Sequence, residues 1–254
     1  MTGWIAPTDR DWFDFLASGQ GWEEVNFWRP SDYYASRAEP GAPFLFKLKA
    51  PFNAIAGFGY FVRYDALPEW LAWECFGPAN GAPTFDSMKS RLDGFRARNR
   101  LQGRGGLEQI GCIVLSQPVF FPQPYWTPQP TNWPPRNLGP MRYDLMVGEG
   151  QRVWEHCLTT AVALGLAGEP VVEQLRQSED RWGEPVLMRP RLGQAAFRLA
   201  VTEAYSRACA MTGEHSLPAL ESCHIRPFAL EGPHEISNGL LLRSDLHRLF
   251  DKGT

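Results

Sequence analysis

The sequence predicts an α+β protein built in two parts. Three observations carry this. Strand-like runs such as "PFLFKLKA" (43–50) and "AIAGFGYFVRY" (54–64) alternate with helix-like segments through the first 165 residues. A charged, loosely patterned stretch follows, from Glu169 to Gly183. Beyond it, four of the five histidines fall within the last forty residues, on an apparent strand, loop and helix. A chain of 254 residues has ample material for a core, as one large domain or two small ones. The expected division is a first domain over 1–165, a linker over 166–186 and a second domain over 187–254.

The elements follow in order. "TDRDWFDFL" predicts a short helix, with Thr8 as its N-cap followed by apolar residues at Trp12, Phe13, Phe15 and Leu16. "PFLFKLKA" alternates apolar and polar side chains from Leu45 to Leu48, the pattern of a half-buried strand. "AIAGFGYFVRY" predicts a second strand, in which Gly57 and Gly59 mark a bulge or a close backbone approach. "LPEWLAWECFG" predicts a helix closed by Gly77. "FDSMKSRLDGFRARNR" predicts another, with Met88, Leu92 and Phe95 on one face. "IGCIVLSQPVFF" predicts a buried strand running to an edge. The prolines of "FPQPYWTPQPTNWPPRNLGP" exclude a central strand or helix, and Trp126 and Trp133 favour a packed wrap. "GEGQRVWEHCLTTAVALGL" is helical, and "GQAAFRLAVTEAY" opens the second part with a helix through Tyr205.

Composition excludes several classes. A net charge of −3 argues against a globally basic nucleic-acid coat, while leaving room for a local patch. The opening segment carries Asp9, Arg10, Asp11 and Asp14 among its apolar residues, so it does not read as a signal peptide. No run of eighteen apolar residues occurs, which excludes a membrane helix. The five cysteines are scattered and form no CxxC pair, so the expected compartment is a reducing cytoplasm.

The chemistry concentrates in the C-terminal histidines. Hydrolysing a phosphodiester requires a base for water, a cation for the phosphate charge and stabilisation of the departing oxygen. An imidazole titrates near neutrality and suits the first task. His247 and Asp251 are four apart in "HRLFD", so on a helix they point the same way and can grip one divalent ion. Leu246, Leu249 and Phe250 are expected to anchor that helix to a core. His224 ends a strand-like run upstream, and Asn238–Gly239 is expected to form a tight turn between them. Strand, loop, and helix carrying the ligands make a ββα-metal arrangement.

The order His224, Asn238, His247 resembles the motif of HNH nucleases. The flanks "CAMTG", "CHIRP" and "NGLLLRSDLHRLFDKG" agree, and the likeness covers roughly 187–254. It implies His224 as general base, Asn238 as the residue that orders the loop around it, and His247 as a ligand of Mg²⁺ or Mn²⁺. Asp251 occupies the place of a second helix ligand. One departure is Cys223, which stands where many members carry an Asp or His ligand. A thiol is a poor partner for Mg²⁺, so the third protein ligand stays open. A second is that the sequence ends at Thr254, where relatives usually continue into further strand.

The stretches "GWIAPTDRDWFDFL", "EVNFWRPS", "EPGAPFLFKLKAPFNAIAGFGYFV" and "IGCIVLSQPVFF" resemble the PUA-type β-barrel superfamily, which includes EVE, ASCH and YTH domains. That resemblance implies a barrel with a pocket for a flipped, modified base. Base flipping is favoured where aromatic rings stack on the base and polar groups read its edge. The candidates are Trp4, Phe27, Trp28 and Trp73 as rings and Asn26 for the edge. Arg29, Arg96 and Arg98, within a run that includes Arg100 and Arg104, are candidates for the DNA backbone. Together the two likenesses resemble bacterial modification-dependent restriction endonucleases. The expected partner is double-stranded DNA carrying a modified base, specifically a modified cytosine, with phage defence as the role. One HNH centre nicks one strand, so a homodimer is expected. Two alternatives stand beside this: an HNH nuclease with a structural or protein-binding N-terminal domain, and a modified-DNA-binding protein whose HNH module is inactive.

Overall fold

The computed structural model describes residues 1–19, 21–30, 38–99, 109–135, 137, 139–166, 193–227 and 232–253. The chain divides into two units, Met1–Pro190 and Arg191–Thr254. The charged connector 169–183, Arg100 and Arg104 lie outside the described residues.

In the first unit the order is β1 (Thr2–Thr8), α1 (Arg10–Ser18), β2 (Glu24–Arg29), β3 (Pro43–Leu48), β4 (Ala54–Pro68), α2 (Glu69–Phe76), α3 (Phe85–Asn99), β5 (Gln109–Phe120), β6 (Thr127–Pro128), β7 (Met141–Asp144) and α4 (Gly148–Ala163). The strands form one sheet in the order β2-β5-β4-β3-β1-β7, with β6 paired to the start of β4. β1 and β3 run parallel, Trp4 opposite Phe44, and the other pairs are antiparallel. The long β4 pairs with β3 along one edge and β5 along the other, and its register against β5 shifts between Phe58 and Tyr60 and again between Phe61 and Arg63.

The expected closed β-barrel is not formed. Among the described residues β2 and β7 stand at opposite ends of an open path. Helices cover both faces of this sheet. On one face Trp12 and Phe13 of α1 meet Phe27, Phe46 and Phe120 edge-on, at centroid separations of 5.2 to 5.5 Å. On the other, Val153, Trp154, Cys157 and Leu158 of α4 share a core with Ile5, Leu45, Ile55 and Phe58. A strand covered on both faces needs burial at consecutive positions. β3 accordingly buries all six of its residues, where a half-buried alternation was expected. Lys47 is included: its ammonium lies 5.2 Å from the Trp133 ring centroid, and burial, then Lys49, lowers its pKa.

Local signals account for the helix ends. Asp9, not Thr8, caps α1, its carboxylate accepting from the Trp12 N–H at 3.2 Å. Thr8 is instead the last residue of β1, and its hydroxyl donates to the Ala6 carbonyl. Gly77 closes α2 with φ +48°, in the left-handed range that favours glycine. The proline-rich segment wraps the sheet: the Trp126 indole donates to the Phe121 carbonyl at 2.8 Å, and Trp133 is buried in the α4 core.

The second unit is small. It contains α5 (Gln194–Ala204), β8 (Leu220–His224), β9 (Gly239–Arg243) and α6 (Ser244–Asp251). β8 and β9 form an antiparallel hairpin, from Leu220 opposite Arg243 to His224 opposite Gly239. Its core is Phe197, Val201, Cys209, Leu220, Cys223, Leu241 and Leu242. Leu246 packs against that core, but Leu249 and Phe250 are exposed, contrary to the anchoring expected of all three. α6 turns the Leu246–His247 edge to the hairpin, which directs the other two outward. No helix among the described residues is long and apolar enough to cross a membrane.

Candidate active site

Successive side chains of a strand point to opposite faces, and β8 uses both. Ser222 and His224 face α5: the Ser222 hydroxyl donates to the Arg198 carbonyl at 3.2 Å, and the His224 ring stacks on Phe197 with centroids 4.0 Å apart. Glu221 faces α6 and reaches His247. The hairpin is thus in contact with both helices of the second unit.

His224 closes β8, half-buried. Its Nε2 lies 3.0 Å from Nδ1 of His234. Burial, then the proximity of His234, lowers the His224 pKa below the ordinary value of 6.5. Asn238 knits the connecting loop. Its amide oxygen accepts from the Arg226 N–H at 2.9 Å, and its amide nitrogen donates to the Arg226 and Pro233 carbonyls, each at 3.0 Å. Its backbone carbonyl accepts from the Ile225 N–H at 2.8 Å. Asn238 therefore ties down the residues directly after His224. Gly239 is not the tight-turn glycine expected from the sequence. Asn238 ends a 3-10 turn, and Gly239 begins β9 with φ −116°. The glycine is needed for space, because a Cβ there would collide with Val201 and Phe197 of α5.

His247 and Asp251 lie together on α6, with Nε2 and a carboxylate oxygen 3.4 Å apart. Nδ1 of His247 lies 2.6 Å from a carboxylate oxygen of Glu221. The two ring nitrogens point apart, so the carboxylates occupy opposite edges of one imidazole. Among the described residues no group of three or more His, Cys, Asp or Glu side chains is placed to hold a metal ion. One nitrogen and one carboxylate suit a divalent ion that keeps waters and takes phosphate oxygens as further ligands. Glu221 sits behind the histidine, where an outer carboxylate fixes ring orientation. Cys223 is buried in the core, its thiol pushed up to about 11 first by burial and then by the charge of Asp251.

Sequence reasoning missed two residues. His234 belongs to no motif position, yet it touches His224. Glu221 was not considered. A period-two reading of β8 puts Glu221 on the face of Cys223, the position where a ligand was sought.

The residues expected to form a base pocket lie mostly within the core of the first unit. Trp4, Asn26, Phe27 and Trp28 are all buried in the first unit. Asn26 is 0 % exposed and donates its amide to Asn80 Oδ1 at 2.8 Å and to the Cys112 sulfur at 3.3 Å. The Trp28 indole donates to the Asn80 carbonyl at 2.8 Å, and its ring lies edge-on to Phe95. These groups build a core under α1 and the Gly77–Asn80 turn. Trp73 is half-buried beside Phe85, and Arg29 is half-buried. Arg96 is buried and ion-paired with Glu69, with its Nε donating to the Pro30 carbonyl at 3.1 Å. Arg98 is exposed, its guanidinium 4.8 Å from the Phe95 ring centroid.

Residues 209–254, from Cys209 through β8, β9 and α6, match the HNH_2 family, described as HNH endonuclease. The matched segment supports an HNH nuclease activity, the hydrolysis of phosphodiesters. Its substrate by that class is DNA, and nucleases of the class typically use a divalent metal. Among solved structures, the ASCH protein of Zymomonas mobilis shares 12% identity at a TM-score of 0.41, covering 60% of this chain and 94% of its own. A single-site mutant of that protein aligns at 12% identity and a TM-score of 0.40, covering 60% and 96%. No curated protein matches the chain.

Proposed function

We propose that the protein is a modification-dependent DNA endonuclease, with the first domain (1–165) as reader and the second (187–254) as a ββα-metal cutter. The observation that carries the cutter is the assembly of His224, Asn238 and His247 on one hairpin and helix inside the segment that matches the HNH family. In the proposed reaction His224 takes a proton from water as that oxygen bonds to phosphorus. The bridging P–O bond then breaks, and the departing oxygen takes a proton from solvent. Asn238 holds the loop that orients His224. His247 and Asp251 hold the divalent ion, Mg²⁺ or Mn²⁺, which when bound neutralises phosphate charge. The reader assignment, a modified cytosine as its target, a homodimer, a cytoplasmic location and a role in phage defence rest on the sequence resemblance.

One observation favours a second reading. Trp4, Asn26, Phe27 and Trp28 are spent on the core, which suits an HNH nuclease whose first domain is structural or binds protein. A digest panel separates the two. Plasmids carrying methylcytosine, hydroxymethylcytosine, glucosylated cytosine, methyladenine or no modification are incubated with the full chain and Mg²⁺ or Mn²⁺. Cleavage confined to a modified-cytosine substrate is the expected outcome. Equal cleavage of every plasmid selects the second reading, and cleavage of none sinks both.

The metal assignment carries its own prediction. His247→Ala is expected to weaken Mn²⁺ binding by about 10–100-fold in a calorimetric titration, with partial recovery of cleavage in excess Mn²⁺. Asp251→Asn is expected to act in the same direction but more mildly, since its amide oxygen still coordinates. Unchanged Mn²⁺ affinity in His247→Ala would remove that residue from the ligand set.

A further inference from the structure

His234 stands outside the three motif residues, yet its ring lies within hydrogen-bond distance of the base. Its Nδ1 is 3.0 Å from Nε2 of His224, the two rings meet at 67°, and both pack on Phe197. A neutral imidazole has one donor nitrogen and one acceptor nitrogen. The contact therefore runs in one of two directions. If His234 donates, the lone pair of His224 Nε2 is consumed and its Nδ1 carries the proton, so no atom remains to receive one from water. If His224 donates, Nε2 keeps its hydrogen and the lone pair sits on Nδ1. Only the second direction leaves a base. It also improves as the reaction proceeds: once Nδ1 is protonated, Nε2–H belongs to an imidazolium and its bond to His234 becomes charge-assisted.

We propose that His234 is a positioning residue that accepts the Nε2–H of His224 and so makes Nδ1 the proton-accepting atom. The orienting acceptor is then a neutral ring, which needs its own Nδ1 unprotonated. Asn238 and His234 divide the work: Asn238 fixes the backbone after His224, and His234 fixes its tautomer. Phe197 packs against one face of the base and restricts its rotation. This inference rests on the reading of His224 as general base.

Two measurements on the full chain test it. Nitrogen NMR of the imidazoles, assigned through His224→Ala and His234→Ala, should show His224 as the Nε2–H tautomer near neutral pH. An Nδ1–H tautomer would overturn the proposal whatever the enzyme cleaves. The second measurement is cleavage of the best plasmid of the panel. His234→Ala should lower kcat by about 10–100-fold with little change in KM. His234→Asn should recover most of the loss, because its amide oxygen lies near the place of Nδ1 and accepts the same hydrogen. Full kcat in His234→Ala, or equal losses in the Ala and Asn variants when both are folded by circular dichroism, would overturn it. His224→Ala run alongside keeps the two ideas apart. If it cuts normally, the base assignment itself fails. If it is inactive while His234→Ala is fully active, only the role of His234 fails.

Discussion

His224→Ala is expected to lose cleavage by about 10²–10⁴-fold while its affinity for DNA stays unchanged. The imidazole is asked to act on water, and the phosphate contacts that dominate DNA affinity come from elsewhere. The wild-type pH profile supplies a linked expectation. The competent form of His224 is neutral, and burial, then His234, holds its pKa below 6.5. Protonation is therefore postponed: the rate should persist as the pH falls past 6.5 and decline only below it. Single-turnover rates across that range, beside DNA binding measured in the absence of metal, check both statements. Near wild-type cleavage by the variant would reject His224 as the base.

Trp12→Ala is expected to be the most damaging change to the first unit. Trp12 is 2% exposed, its indole N–H donates to the Asn26 carbonyl at 3.0 Å, and its ring packs against Phe27 and Phe46. Removing it leaves a cavity beneath α1 and an unpaired buried carbonyl on β2. Truncating a buried tryptophan costs about 3–5 kcal/mol. For a unit of this size each kcal/mol lowers Tm by about 2–4 °C. Thermal unfolding followed by tryptophan fluorescence should therefore show a fall of several degrees or more. A shift within 2 °C, roughly the effect of less than 1 kcal/mol, would mean that α1 does not anchor this face. Because Trp28 and Asn26 join the same network through Asn80, their alanine variants should also act on stability. Any loss of DNA discrimination they cause is then to be separated from unfolding by comparing Tm.

The nuclease residues were legible because their chemistry is carried by short local patterns. His247 and Asp251 need only a helix to come together, and Asn238 needs only to fall in the loop after His224. His234 and Glu221 were not legible in the same way. His234 meets His224 because the loop between β8 and β9 folds back on Phe197. Glu221 meets His247 through the register of a hairpin whose strands are far apart in sequence. In the first unit the strands and helices were readable from periodicity, but the roles of the rings were not. A tryptophan that fills a core and one that stacks on a base have the same local sequence, and only burial separates them.

The sequence by itself determined the α+β class, most of the elements and the identity of the nuclease motif. Spacing along a chain is enough to place side chains on one helix or at one strand end. Tertiary structure alone decided that the sheet of the described residues stays open, that β3 is buried on both faces, that Arg96 pairs with Glu69, and that His224 has a second histidine beside it. Each of these depends on which distant segment covers a given face. That is settled by packing across the whole unit, where one strand can be covered once or twice with little change in its own pattern of residues.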